Sequence, residues 1–246
     1  MITIIGEYCK DIFIYGDAKR LSPEAPVPVF IPTKTVENLG MAGNVFENVR
    51  ALSLDGNYTL LSQNQSIKKT RYVDDKSNHM FLRVDEGEEN IDKFELTVEI
   101  RNKIRKSEIV IVSDYNKGFL DYDTLISIGH MSTLSILDTK KILNEDVMNS
   151  YDFIKLNKEE YNRNKELCDK NPHKFIITMG MEGAVYNGEK YRSPSPTQTM
   201  DVSGAGDTFT ASFILMYKET KNIEESIIYA NKMASIVVSK RGVATP

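Results

Sequence analysis

The sequence predicts an α/β fold, a mainly parallel sheet covered by helices, and three observations carry that expectation. Short apolar runs recur along the chain: ITII (2–5), YTLL (58–61), EIVIVS (108–113), LSIL (134–137), FIKL (153–156) and KFIITM (174–179). Their length and β-branched content read as buried strands. Amphipathic stretches lie between several of them, at GNVFENVRAL (43–52), IDKFELTVEIRNKIRK (91–106) and YDTLISIGHM (122–131). Alternation of strands and helices builds parallel sheets, because each crossover lays its helix on a sheet face. Finally, 246 residues with 41% hydrophobic and 27% charged content suit one ordinary globular domain with a small appendage.

Taken in order, ITII opens the sheet at its N-terminal strand. The stretch SPEAPVP (22–28) cannot be helical, since proline fixes φ, lacks an N–H and pushes its predecessor out of the helical region. Next to it VPVFIPTKTVENL (27–39), and later KKTRYVDDKSNHMFLRVDE (68–86), are β-rich with no helix inside them. They predict an antiparallel flap or lid, from about 12–39 and 67–86, on one edge of a single domain spanning 1–246. The remaining runs continue the strand and helix alternation. Between Asn157 and Phe175 the chain is compressed and is expected to lack much of a helix. The apolar run ASFILMY (211–217) reads as a buried helix near the C-terminus.

Composition excludes several functions. A net charge of −4 with interspersed signs gives no basic surface for nucleic acid or an anionic membrane. Cys9 and Cys168 have neither disulfide-framework nor zinc-site spacing, and His79, His130 and His173 have no metal-ligand spacing. No apolar run is long enough to span a bilayer. Met1 leads directly into ITIIGE without the pattern of a signal peptide. A cytoplasmic protein is expected.

The most informative segment is Asp201-Val-Ser-Gly-Ala-Gly-Asp-Thr-Phe209, just before the C-terminal apolar run. Small residues at Gly204, Ala205 and Gly206 let backbone N–H groups approach a ligand, and at a helix N-terminus those groups bind anions. Asp207 adds a carboxylate in the same turn. An anion hole beside a carboxylate suits phosphoryl transfer to an alcohol, one part holding phosphate and the other taking the hydroxyl proton. A plain turn with an acidic residue at the helix dipole explains the same residues. A dinucleotide fingerprint fits poorly, because Phe209 stands at the third glycine, and the Lys-Ser/Thr pair of a Walker loop is missing. Ligands of open parallel sheets sit beyond the carboxyl ends of the strands. Ser113-Asp114-Tyr115, Asp138-Thr139-Lys140, Asn157 with Glu160, and Thr178-Met179-Gly180 all end predicted strands. Singly each is an ordinary turn or cap; together they favour a site.

The segment DVSGAGDTF resembles the C-terminal signature of the ribokinase-like (PfkB) carbohydrate kinases. Other motifs follow in the family's order: Gly6 with Asp11, Gly40-Met41-Ala42-Gly43-Asn44, Asn157-Lys158-Glu159-Glu160, and Thr178-Met179-Gly180-Met181-Glu182-Gly183. The resemblance covers nearly the whole chain and implies a three-layer sandwich. LSPEAPVPV (21–29), SDYNKG (113–118) and the closing VVSKRGVATP resemble the branch that phosphorylates D-glycero-D-manno-heptose 7-phosphate at its anomeric hydroxyl, a step of surface-polysaccharide synthesis. In bifunctional relatives that domain is fused to a nucleotidyltransferase, and this chain is expected to hold the kinase half alone.

Carried over by motif, the resemblance implies these roles. Asp207 is the base, with Gly204, Ala205 and Gly206 supplying N–H groups to the transferred phosphoryl group. Asn157 and Glu160 organise Mg²⁺ and its water around ATP, while Thr178, Gly180 and Gly183 line the nucleotide. Asp201 and Ser203 resemble ligands of a monovalent cation such as K⁺. Asp11, Gly40 and Asn44 hold sugar hydroxyls. For the far phosphate of a sugar phosphate, Lys69, Arg71, Arg83 and Lys117 are candidates, although basic side chains on a β-ribbon are usually solvated. The departures fall on the sugar side: Glu7 replaces the usual Asp, and Met41 replaces a glycine. A kinase for another acceptor (ketohexose, hexose phosphate or nucleoside) and a non-catalytic binding protein of the same fold are the competing expectations. A homodimer through the lid is expected too, with the VPVFIPT strand in the contact, because exposed strand edges need covering.

Overall fold

The computed structural model describes residues 1–53, 56–194, 202–240 and 244–246. In chain order its strands are β1 (Ile2–Gly6), β2 (Tyr8–Leu21), β3 (Pro28–Met41), β4 (Tyr58–Leu61), β5 (Ile67–Asp74), β6 (Met80–Glu86), β7 (Ile109–Asp114), β8 (Ser135–Thr139), β9 (Phe153–Asn157), β10 (Phe175–Thr178), β11 (Ala184–Tyr186) and β12 (Glu189–Tyr191). Its helices are α1 (Ala42–Leu52), α2 (Val98–Arg105), α3 (Tyr122–Met131), α4 (Glu145–Ser150), α5 (Lys158–Arg163), α6 (Lys165–Lys170), α7 (Ala205–Thr220) and α8 (Ile223–Val237).

Eight strands form the main sheet in the order β12-β11-β10-β9-β8-β7-β1-β4. From β4 to β10 every pairing is parallel, and β11 and β12 add an antiparallel edge. Neighbouring residues of each strand point to opposite faces, and both faces are covered. Ile2, Ile4, Ile109, Ile111, Ile136, Phe153 and Ile176 pack with α1, α7 and α8. Val110, Val112, Leu137, Ile154, Leu156, Phe175 and Ile177 pack with the helices of the other layer. Burial on both sides explains why these strands read as continuous apolar runs rather than as alternating ones. Among the described residues no helix is long and apolar enough to cross a membrane.

Several helices start where the sequence provides a side-chain acceptor for the orphan N–H groups of the first turn. Asp121 Oδ1 accepts from Thr124 N at 3.0 Å, Asn144 Oδ1 from Val147 N at 2.9 Å and Asn222 Oδ1 from Glu225 N at 3.1 Å. Capping also explains a correction. The expected helix over 91–106 starts only at Val98, because Thr97 caps it, accepting from Ile100 N at 3.3 Å. The residues before it run in non-helical conformation, with Phe94 N–H donating to the Phe119 carbonyl and the Phe94 ring against the Phe119 ring. A second correction concerns 157–175, which holds two short helices, α5 and α6. Buried Asn164 joins them: its Oδ1 accepts from Leu143 N at 2.7 Å, and its Nδ2 donates to Glu160 O at 2.9 Å.

A second sheet of four strands has the order β3-β2-β5-β6. It differs from an antiparallel flap, because β2 and β5 run parallel, with Asp11 opposite Lys69. The chain between them contains α1 and β4, which is the crossover that a parallel pair requires. Periodicity does not flag β2, since Lys10, Asp11, Asp17 and Lys19 interrupt its apolar pattern. One face of this sheet buries Asp11, Phe13, Tyr15, Lys69 and Val73. On the other, Leu82 is 55% exposed, next to Tyr72 in register.

At the junction of the sheets Met41 precedes α1 with φ 57° and ψ −134°, a region that side chains avoid. Its side chain is buried with Cys9 and Ile67. Strain of about 1–3 kcal/mol opposes a burial gain of about 1.5–3 kcal/mol. Met41→Gly removes both, so it is expected to move the melting temperature by less than about 8 °C. A loss of roughly 10 °C in a thermal melt would show that the strain is not there.

Candidate active site

Helix α7 begins at Gly204, whose φ of 81° is the left-handed conformation that glycine adopts freely. The first bond onto the helix runs from Thr208 N to Gly204 O at 2.9 Å, so the N–H groups of Gly206 and Asp207 lack helical partners. Ala205 N–H has only a long contact of 3.4 Å to Val202 O. The Asp207 carboxylate lies in this first turn and is buried. Asn44 Nδ2 donates to its Oδ2 at 2.8 Å, and the Tyr115 hydroxyl lies 3.3 Å from its Oδ1. Burial pushes the Asp207 carboxyl up to about 6. The Asn44 hydrogen bond and the Lys155 charge pull the other way, and the Asp138 charge adds to the rise.

The strand ends deliver the other groups. Asp114, Tyr115, Asp138, Lys140, Asn157, Glu160, Thr178 and Gly180 line one cavity of about 470 Å³ with Lys155, Gly204, Gly206 and Asp207. Asp138 and Lys155 are register partners on β8 and β9. Lys155 Nζ lies 2.9 Å from Asp138 Oδ2, which also accepts from Thr210 Oγ1 at 3.1 Å. A Cβ on Gly206 would stand 3.0 Å from Lys155 Nζ, so the ammonium lies directly beneath the start of α7. Burial disfavours the Lys155 charge, and Asp138 and Glu160 more than offset this. A second cavity of about 190 Å³ adjoins the first, lined by Met181, Gly183, Val202, Phe209, Ala234 and Val238. Thr178, Gly180 and Gly206 line both.

Asn157 and Glu160 have a structural partnership that the motif alone does not reveal. Asn157 Oδ1 accepts from Glu160 N at 2.9 Å, and Glu160 Oε2 accepts from Asn157 N at 2.7 Å. This is a reciprocal capping box. It fixes both side chains at the rim of the larger cavity, with the Glu160 carboxyl raised by burial and by Asp138.

On the acceptor side, Glu7 is fully buried and accepts from Tyr115 N and Lys117 N, both at 2.8 Å. It therefore clamps the turn that carries Tyr115, with its carboxyl raised by burial and by Asp114. Asp11 pairs with Arg71, which also stands 5.0 Å over the Phe13 ring. Gly40 is needed beside Asp11, since a Cβ there would come within 2.1 Å of Asp11 Oδ2. Asn44 is only 2% exposed, with its amide engaged by Asp207. All four candidate cations have carboxylate partners: Lys69 lies 3.2 Å from Glu88 Oε1, Lys117 pairs with Glu88 Oε2, and Arg83 grips Asp85 at 2.7 and 2.6 Å. Asp201 lies outside the described residues, and Ser203 sits in the turn leading to α7. Sequence reasoning misses Lys155, whose signal is a charge inside the apolar run FIKL.

The buried Asp207 has a consequence for stability. Its native value of about 6 lies above the usual 3.8, so the native state favours the protonated form. Stability is then full below about pH 4 and is lost as pH rises to about 6, by an amount on the order of 2–3 kcal/mol. Asp207→Asn, neutral at every pH, is expected to melt higher than wild type above pH 6 and to match it near pH 4. Equal melting temperatures at pH 8 would contradict the buried charge.

Residues 146–246 match the pfkB family of carbohydrate kinases. The chain is 30% identical to the bifunctional protein HldE of Helicobacter pylori strain J99 across 99% of its own length, and it spans 64% of that protein. Ribokinase of Arabidopsis thaliana, complexed with ribose and ATP, superposes with a TM-score of 0.72 at 15% identity, covering 98% of this chain and 93% of that one. Phosphofructokinase-2 of Escherichia coli, in complex with potassium, gives 0.72 at 14% identity, covering 99% and 94%. Those two likenesses establish a ribokinase-like fold. Over residues 146–246 the chain is similar to the pfkB carbohydrate kinases, and it spans less than two thirds of the HldE relatives it matches.

Proposed function

We propose that this protein is a sugar kinase that uses ATP to phosphorylate the anomeric hydroxyl of D-glycero-D-manno-heptose 7-phosphate, with Asp207 as the base. The observation that carries the base assignment is a buried carboxylate, raised to about 6, in the first turn of a helix whose Gly206 and Asp207 N–H groups have no helical partner. A base with that value is ionised at neutral pH yet still takes up a proton readily. The acceptor identity rests on the likeness to HldE and on the SDYNKG and LSPEAPVPV segments.

In this reading the nucleotide base enters the smaller, apolar cavity, and its phosphates extend over Gly180 and Gly206 into the larger one. The amides of Ala205, Gly206 and Asp207 and the Lys155 ammonium stabilise the charge on the transferred group. Catalysis of such a transfer is mostly positioning and charge stabilisation. Asp207 accepts the acceptor proton as the acceptor oxygen attacks phosphorus, and ADP leaves. Among the described residues no cluster of three or more His, Cys, Asp or Glu could cage a metal. Mg²⁺ is commonly held by one or two carboxylates, water and substrate phosphates. Glu160 and Asn157 are the groups that would orient it. The potassium-bound phosphofructokinase-2 supports K⁺ as a second cation, with Asp201 and Ser203 as its ligands in this reading.

Asp11, Gly40 and the four-stranded sheet would cover the sugar, with Lys69, Arg71, Arg83 and Lys117 meeting its 7-phosphate. One observation favours a second reading: these four cations are already paired with carboxylates, as they would be for an acceptor with no second phosphate. The exposed outer face of that sheet, with Leu82 and Val84, suits a homodimer through the lid.

Acceptors compared by ADP release separate the two readings. Heptose 7-phosphate is expected to exceed the unphosphorylated heptose, ketohexoses, hexose phosphates and nucleosides by at least a hundredfold in kcat/KM, the discrimination a paired charged group provides. Turnover of a simple ketohexose with none of heptose 7-phosphate would establish the second. Light scattering at micromolar concentration is expected to give the mass of two chains; the mass of one would remove the dimer.

A further inference from the structure

We propose that Asn48 and Thr208 are positioning residues that lock the Asn44 amide with its N–H toward Asp207, an inference that rests on Asp207 being the base. Three buried side chains on two helices make one directed chain of hydrogen bonds. Thr208 Oγ1 donates to Asn48 Oδ1 at 2.8 Å. Asn48 Nδ2 donates to Asn44 Oδ1 at 3.1 Å and to the Asn44 main-chain carbonyl at 2.8 Å. Asn44 Nδ2 then donates to Asp207 Oδ2 at 2.8 Å.

The direction of this chain follows from chemistry. A main-chain carbonyl only accepts, so the Asn48 atom facing it is the NH₂ group. The same group faces Asn44 Oδ1, and the Asn48 oxygen must then face the Thr208 hydroxyl. With its oxygen engaged by Asn48, Asn44 presents NH₂ at the opposite end, where Asp207 Oδ2 and the Gly204 carbonyl, 3.5 Å away, both only accept. A flipped Asn44 would put oxygen against oxygen at Asp207 and NH₂ against NH₂ at Asn48. The four residues are at most 7% exposed, so water cannot substitute for a lost partner, and an unpaired buried group costs about 1–3 kcal/mol. The Asn48 and Thr208 side chains make no hydrogen bond to the Asp207 carboxylate, and neither residue lines the larger cavity. Their effect reaches the base only through Asn44.

A donor to the ionised carboxylate favours the ionised form, so loosening Asn44 raises the pH at which Asp207 ionises. The other groups facing Asp207 are Asp138 on β8, Lys155 on β9, Tyr115 beyond β7 and Cys9 on β2. None of them is altered by substitutions at 48 or 208.

The test follows the Asp207 carboxyl by ¹³C NMR against pH, assigned by the signal missing from Asp207→Asn, together with kcat/KM against pH for heptose 7-phosphate. Asn48→Leu is expected to raise the titration midpoint by about one pH unit. It then lowers kcat/KM about fivefold at pH 6 and less than twofold at pH 8. Thr208→Val should shift the midpoint in the same direction by less, and Thr208→Ser, which keeps the hydroxyl, should leave it unchanged. If Asn48→Leu does not fold, the Thr208 pair carries the test. Midpoints equal to wild type in both Asn48→Leu and Thr208→Val would overturn the positioning role. A wild-type rate that does not follow the Asp207 titration would instead overturn the base assignment beneath it.

Discussion

The energetic constraint on which the site depends is the burial of one carboxylate at a helix N-terminus. Removing Asp207 from water costs enough to raise its value to about 6. Its surroundings supply compensation without neutralising it: the Asn44 N–H, the Lys155 ammonium at a distance and the first-turn amides of α7. A direct ion pair would have lowered the carboxyl and, in the proposed reaction, weakened it as a base. Lys155 is instead held by Asp138 under the helix start, so its charge lies at the N-terminal end of α7. The three-layer fold makes this possible, because β8 and β9 deliver Asp138 and Lys155 to the face that α7 covers.

The same economy recurs around the site. Carboxylates close to the cavity hold backbone rather than solvent. Glu7 clamps the Tyr115 turn, Glu160 closes a capping box, and buried Asp114 accepts from Asn116 N at 3.0 Å. Each fixes a strand-end loop in one geometry, which is what a reaction catalysed by positioning requires. The Glu7 carboxylate, a methylene longer than an aspartate, spans two successive donors of that turn, Tyr115 N and Lys117 N.

Much of the body was legible because its strands are buried on both faces and so read as unbroken apolar runs. The start of α7 was legible for a different reason: only small residues allow that backbone, and Asp207 stands in the same turn. The second sheet was harder, since β2 mixes Lys10, Asp11 and Asp17 into its pattern and pairs in parallel with a strand far along the chain. Asn48 and Thr208 were invisible, because a buried hydrogen-bond chain between two helices leaves no local signature. Lys155 left one, a charge within FIKL, whose meaning depends on Asp138 from another strand.

The most direct test of the account is the turnover of Asp207→Asn beside its affinity for ATP. Asparagine preserves the shape of the site and cannot take the acceptor proton. The account predicts that kcat falls by at least about a thousandfold while the ATP dissociation constant, measured by calorimetry, stays within about threefold of wild type. A variant that keeps wild-type turnover would contradict it.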